Sequence, residues 1–237
     1  MSKILITGGT GLVGKHLQEI LPNAVYLSSK DCDLTDISKL KWLISSHIPD
    51  IVVHLAARVG GIQDNIKYPA DYFDDNILIN TNIVKVCKEY NVKRFIGILS
   101  TCIYPSVVEN YPMKEEDLFI GPPPPSNFSY GYAKRCLAVQ IDAYNKQFGT
   151  KYNYLIPCNL YGDYDNMHDE SKMHFITALL NKIRNSKDKA LHLLGTGKPL
   201  RQFMYAGDLA DIIKLVIDND ITESFNVAPD FNYSIDD

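Results

Sequence analysis

The segment that most constrains this chain is its first fifteen residues. A short apolar run, Ile4–Thr7, leads directly into Gly8-Gly9-Thr10-Gly11-Leu12-Val13-Gly14. Two glycine patterns overlap there, Gly9-x-Gly11-x-x-Gly14 and Gly8-x-x-Gly11-x-x-Gly14. Glycines allow a tight turn and let backbone N–H groups approach a pyrophosphate, and a helix opening at Leu12 adds partial positive charge at its N-terminus. A glycine motif alone is weak, because any glycine-rich turn can produce it. Strand, turn and helix in this order predict a dinucleotide-binding unit.

The same alternation continues along the chain. Strands are expected at 24–27, 51–55, 95–100 and 152–157, and helices at 12–21, 36–47, 70–90 and 130–148, the last stopped by Gly149. The βαβα rhythm and right-handed crossovers predict an α/β, doubly wound parallel sheet with helices on both faces. After Asn159 the rhythm loosens. A helix at 174–187, short strands at 191–195 and 202–205, a helix at 208–218 and a strand at 225–227 are expected. The only proline run, 122–125, sits in the loop between Ser100 and Tyr130, and a loop that long inside a compact domain is more often functional than idle. Ser234-Ile-Asp-Asp has the form of a capping box, which predicts a helix beginning at the end of the chain and a missing C-terminal piece.

Bulk properties exclude several classes. The 237 residues carry a net charge of −4 with lysines and arginines scattered, which argues against nucleic acid or an anionic membrane as main partner. There is no signal-peptide h-region and no apolar run of transmembrane length. The five cysteines, Cys32, Cys87, Cys102, Cys136 and Cys158, form no C-x-x-C pair and no zinc-spaced Cys/His cluster. Reduced thiols in a cytoplasmic protein, with no metal, are the expectation.

The choice of dinucleotide turns on the end of the second strand, Leu27-Ser28-Ser29-Lys30. An acidic residue there would bind a ribose 2′-OH and favour NAD, whereas hydroxyls and a cation suit the 2′-phosphate of NADP. Lys30 therefore favours NADP, and Asp31 keeps NAD open.

The chemical end begins with Tyr130 and Lys134, spaced i and i+4 on one helix face. A nearby ammonium is expected to lower the phenol from its ordinary value near 10 toward a useful acid–base range. Ser100, closing a strand at the carboxyl edge of the sheet, is placed to hydrogen-bond a substrate carbonyl. Serine, tyrosine and lysine downstream of a dinucleotide motif form the short-chain dehydrogenase constellation. Cys102, two residues beyond Ser100, would share its side of the strand by alternation. Taken alone, Cys102 reads as buried filler and His174 as a helix N-terminal residue with no chemical role.

Several longer segments narrow the resemblance. Leu99-Ser-Thr-Cys102-Ile-Tyr-Pro105, Leu55-Ala-Ala-Arg-Val-Gly-Gly-Ile62, Tyr68-Pro-Ala-Asp71, Ser126-Asn-Phe-Ser-Tyr-Gly-Tyr-Ala-Lys-Arg135, Pro157-Cys-Asn-Leu-Tyr-Gly162 and Gly195-Thr-Gly-Lys-Pro-Leu-Arg201-Gln-Phe203 resemble the GDP-L-fucose synthase family of extended short-chain dehydrogenases. The resemblance covers nearly the whole chain. It implies epimerisation of a GDP-4-keto-6-deoxy-mannose at C3 and C5, then reduction of the C4 ketone by NADPH. By the same resemblance, Ser100, Cys102, Tyr130, Lys134 and His174 are catalytic. Gly8, Gly11, Leu12, Val13, Gly14, Lys30, Asp33, Leu34, Leu55, Ala56, Ala57 and Pro157 hold the cofactor together with Tyr130 and Lys134. Asn159, Lys182 and Arg201 hold the GDP-sugar. Lys182 stands where the family usually has an arginine, and Phe-Ile-Thr after His174 replaces the usual Val-Ile-Pro. The resemblance also implies a homodimer packed through the two long helices.

The domain division that follows is residues 1–162, with 201–227 returning to them, as an NADP-binding Rossmann domain. Residues 163–200 and 228–237 would be part of a substrate-binding domain. Two rival enzymes stay open: a C4 reductase acting on a hexose or heptose already epimerised elsewhere, and an NAD-dependent 4-epimerase or dehydratase. A redox-sensing domain that binds NADP without turnover is a third, although it would need none of Ser100, Tyr130 and Lys134.

Overall fold

The computed structural model describes residues 2–108, 111–167, 173–186 and 195–236. The apolar run β1 (Ile4–Thr7) passes through the glycine turn into α1 (Leu12–Ile20), followed by β2 (Val25–Leu27), α2 (Ile37–His47) and β3 (Ile51–His54). A six-residue helix, α3 (Ile62–Lys67), precedes the long α4 (Pro69–Glu89), and β4 (Arg94–Ile98) leads through the proline-containing loop to α5 (Phe128–Phe148). Then come β5 (Lys151–Pro157), β6 (Asn159–Tyr161), α6 (Phe175–Asn185), β7 (Leu200–Arg201), β8 (Phe203–Tyr205), α7 (Ala206–Asp218), β9 (Phe225–Val227) and β10 (Tyr233–Ser234).

Six strands form one sheet in the order β2-β1-β3-β4-β5-β9, parallel at every pairing. All residues of β3 and β4 are buried, as expected for strands covered on both faces. Leu40 of α2, Ile83 of α4 and Leu137 of α5 belong to the core on one face, and Leu17 of α1 with Leu209 and Ile213 of α7 to the core on the other. The chain runs from β1 outward to β2, then returns past β1 to β3 and continues the other way to β4 and β5, so the order reverses between β1 and β3. That topological switch point opens a crevice at the carboxyl ends of the strands.

Local chemistry sets the boundaries. Asp36 caps α2 by accepting from the amides of Ser38 at 3.0 Å and Lys39 at 3.2 Å. Gly149 ends α5 in the left-handed region at φ 65°. The long loop between β4 and α5 is tied down by buried Arg135, whose guanidinium donates to the carbonyls of Ile103 at 2.5 Å and Gly121 at 2.6 Å.

Three features differ from expectation, and one expected strand lies mostly outside the described residues. The helix expected at 70–90 is preceded by the separate α3, too short to show a helical period; Tyr68 closes it, and Pro69 then opens α4 where its missing N–H costs nothing. The second is β6, which pairs in parallel with β8 and carried no apolar run to announce it. Most of the strand expected at 191–195 lies outside the described residues. Finally, Ser234 does not start a helix within the described residues: Tyr233–Ser234 is held extended by antiparallel pairing with Leu200–Arg201. Among the described residues no helix is long and apolar enough to cross a membrane.

Candidate active site

The turn after β1 has no room for a Cβ at Gly8, Gly9 or Gly14. Gly8 adopts φ 71°, and a Cβ there would stand 2.8 Å from the backbone nitrogen of Ala56. A Cβ on Gly14 would stand 2.6 Å from the carbonyl oxygen of Gly9. The first glycine brings the turn against the end of β3, and the last packs α1 onto the turn, so the first amides of α1 face the crevice. The cleft that results has a volume of about 680 Å³. Gly8, Gly11, Leu12, Val13, Gly14, Asp33, Leu34, Leu55, Ala56, Ala57 and Pro157 all line it. Lys30 is not among the lining residues, although its neighbours Ser28 and Ser29 are. Asp31 is turned away into its own loop, where its carboxylate accepts from the Ser28 amide at 2.8 Å and the Ser28 hydroxyl at 2.6 Å. Those bonds from Ser28 hold its carboxyl below the usual range.

Ser100, Tyr130, Lys134, His174 and Asn159 line the same cleft. The strand before Ser100 ends at Ile98, two residues earlier than expected, and 101–103 turns tightly. Strand alternation therefore does not bring Cys102 to Ser100. The turn does, with the Cys102 thiol donating to the Ser100 hydroxyl oxygen at 3.3 Å. Burial pushes the Cys102 thiol up, partly opposed by the Ser100 hydrogen bond and the charge of Lys134.

Lys134 is buried, 2% exposed, and donates from Nζ to the Ile98 carbonyl at 2.8 Å. Its Nζ lies 6.0 Å from the centroid of the Tyr130 ring. The expectation that this ammonium would lower the phenol is not met. Burial pushes Tyr130 well above its ordinary value, reinforced by Cys102 and Tyr72. Desolvation also acts on Lys134 itself, bringing it down to about 8. In the protein alone, then, Tyr130 is a protonated phenol, suited to giving a proton rather than taking one.

His174 precedes α6 and hydrogen-bonds through Nδ1 to the Asp165 carboxylate at 2.8 Å. Burial pushes Asp165 up, but the bonds from His174 and Thr177 outweigh it and hold the carboxyl below its usual range. Of the residues assigned to the GDP-sugar, Asn159 lines the cleft and donates from Nδ2 to the Gln202 carbonyl at 3.0 Å. Lys182 on α6 and Arg201 on β7 are exposed and do not line it; the Arg201 guanidinium donates to the adjacent Leu200 carbonyl at 2.8 Å.

Some residues of the site had no sequence signal. His54, fully buried at the end of β3, bridges the Thr7 hydroxyl at 2.8 Å and Asn80 Oδ1 at 3.1 Å. Burial first, and then the charge of Lys134, bring it down to about 3, so it is neutral. His54 stands behind the cleft without lining it, whereas Arg58 and Asp75 do line it and form an ion pair at 2.8 Å.

Comparison with known proteins agrees with this geometry. Residues 4–228 match the model of the NAD dependent epimerase/dehydratase family. A GDP-L-fucose synthase of Dictyostelium discoideum is 41% identical over 227 residues, 91% of this chain and 70% of that protein. The crystal structure of a GDP-L-fucose synthetase from Naegleria fowleri bound to NADP superposes with a TM-score of 0.85 at 35% identity, covering 96% of this chain and 77% of that one. A GDP-mannoheptose C4 reductase from Campylobacter jejuni with NADP bound gives a TM-score of 0.87 at 27% identity, covering 99% and 82%. The chain belongs to the NAD dependent epimerase/dehydratase family and, within it, to the GDP-L-fucose synthases of the extended short-chain dehydrogenase type.

Proposed function

We propose that the protein is an NADPH-dependent reductase of a GDP-4-keto-6-deoxysugar that also epimerises the sugar at C3 and C5. The observation that carries this reading is the hydrogen bond from Cys102, itself not among the lining residues, to Ser100 on the wall of the cleft that Tyr130, Lys134 and His174 also line. A plain reductase needs Ser100, Tyr130 and Lys134 but has no use for a thiol and an imidazole beside them.

The cleft fits a dinucleotide. No side chain intrudes at Gly8 and Gly14, and the first residues of α1 line the cleft, where a helix N-terminus suits a pyrophosphate. Gly8, Gly11, Leu12, Val13 and Gly14 would hold that group, Asp33 and Leu34 the adenosine side, Leu55, Ala56, Ala57 and Pro157 the nicotinamide side, and Lys134 with Tyr130 the nearby ribose. The engagement of Asp31 by Ser28 removes the acidic competitor for a ribose 2′-OH, which supports NADP, with Ser28, Ser29 and Lys30 toward its phosphate. NADPH bound there supplies the hydride that reduces C4.

The protein's own groups handle protons and charge. C3 and C5 flank the C4 ketone, so their protons are acidified, and removing one leaves an enolate centred on the C4 oxygen. Ser100 and Tyr130 hydrogen-bond that oxyanion. Cys102 and His174 exchange the carbon proton, one removing it and the other supplying one from the opposite face. After inversion, Tyr130 gives its proton to the C4 oxygen as the ketone is reduced. Asn159, Lys182 and Arg201 bind the GDP-sugar, and residues 163–200 and 228–237 carry the sugar side while the main sheet carries the dinucleotide.

The protein acts as a homodimer in the cytoplasm. The exposed apolar residues Phe73 and Leu78 of α4 and Val139 of α5 support packing through those helices, and five free cysteines suit a reducing compartment. The test is consumption of NADPH, measured beside NADH, with GDP-4-keto-6-deoxy-mannose as substrate. Turnover with NADPH preferred supports the reading. Reaction without external reductant, through a tightly held NAD, contradicts it.

A further inference from the structure

Asp165 is a loop carboxylate whose acceptor capacity is spent on the first turn of α6. Its Oδ1 accepts from His174 Nδ1 at 2.8 Å and from the Asn166 amide at 2.9 Å, and its Oδ2 accepts from the Thr177 hydroxyl and the His174 amide at 3.4 Å. The side chain is 3% exposed, so these bonds are made out of water. An ionised carboxylate can only accept. The nitrogen facing it must carry a proton, which leaves Nε2, at the far end of a ring that lines the cleft, with the free lone pair.

We propose that Asp165 is a positioning residue that fixes His174 as the Nδ1–H tautomer and presents Nε2 as its proton-transferring atom. The inference rests on the epimerase reading for its catalytic consequence, but not for the tautomer itself. Sequence alone gives no hint of this, because Asp165 and His174 are nine residues apart with no periodicity between them.

The test is nitrogen-15 NMR of the labelled full chain with its imidazoles neutral, His174 being assigned by comparison with His174→Gln. The expected spectrum has a protonated Nδ1 and a pyridine-like Nε2, and Asp165→Asn should move the tautomer ratio toward Nε2–H by about tenfold. An Nε2–H tautomer in the unaltered protein overturns the proposal whether or not any variant folds. A ratio unchanged in Asp165→Asn overturns it as well. With substrate, Asp165→Asn should slow carbon–deuterium exchange about 100-fold while reduction of an already epimerised ketone stays within about threefold. Thr177→Val, which keeps the charge but loses one anchor, should retain the tautomer and most of the exchange. Equal loss of exchange and reduction in Asp165→Asn would make Asp165 merely structural. If the unaltered protein reduces the ketone without exchange, the epimerase reading fails and the tautomer spectra alone decide the role of Asp165.

Discussion

The Cys102 thiol donates to the Ser100 hydroxyl oxygen across 3.3 Å, so the group offered for proton transfer at carbon shares a hydrogen bond with the group offered to the C4 oxygen. Cys102→Ser should separate the two chemistries. A hydroxyl keeps the hydrogen bond but is far less acidic than a thiol, so exchange at C3 and C5 should fall by about 10²–10⁴. Reduction of an already epimerised ketone should stay close to that of the unaltered protein. Parallel loss of both activities would remove Cys102 from its assigned role.

Tyr130 is pushed up by burial, so it keeps its proton near neutrality and has one to give to the C4 oxygen in the proposed reaction. Tyr130→Phe removes that proton while preserving the ring that meets Tyr72 edge-on. Turnover of NADPH should fall by about 10²–10⁴, and NADPH affinity, read by fluorescence titration, should change by less than about tenfold. Undiminished turnover would transfer the acid role elsewhere.

The two glycines that shape the cleft give a prediction on binding. Gly14→Ala forces a methyl to 2.6 Å from the Gly9 carbonyl, and Gly8→Ala adds a left-handed backbone to a contact of 2.8 Å with Ala56. Each variant should lose about 1–3 kcal/mol of stability in urea titration and bind NADPH at least tenfold more weakly. Unchanged NADPH binding in both would place the dinucleotide elsewhere.

His54 makes the fold acid-sensitive. It is lowered from an ordinary 6.5 to about 3 by burial and then by Lys134, so between those values the unfolded chain binds a proton that the native state refuses. The contribution is complete above pH 6.5 and is lost progressively as pH falls toward 3. At pH 5 the loss from this residue is about 2 kcal/mol. His54→Gln should therefore show a flatter decline in urea-measured stability between pH 7 and pH 5 than the unaltered protein. An identical decline would mean that other groups dominate this window.

Much of this was legible in the chain because it is local. The strands of the main sheet announced themselves as apolar runs, the glycine turn by its spacing, and Tyr130 with Lys134 by a single helical turn. What escaped depends on contacts between segments remote in sequence. His54 meets Asn80 from 26 positions away, and Arg58 meets Asp75 from 17. Asp165 reads as one more loop aspartate until α6 folds against it. The reversed expectation for Tyr130 has the same origin. The i, i+4 spacing to Lys134 was plain, but the desolvation that outweighs it comes from elements packed around both residues. Lys182 and Arg201, carried over by resemblance, stand exposed outside the cleft, and no local pattern distinguished them from Asn159, which lines it.

A single reaction in heavy water measures epimerisation and reduction together. Protein, NADPH and GDP-4-keto-6-deoxy-mannose are mixed, the reduced-nicotinamide absorbance is followed, and the product is weighed by mass spectrometry. An epimerase–reductase should consume NADPH and place two solvent deuteriums on carbon, at C3 and C5. Loss of NADPH with no deuterium on carbon would contradict the epimerase reading and leave a reductase that receives its sugar already epimerised.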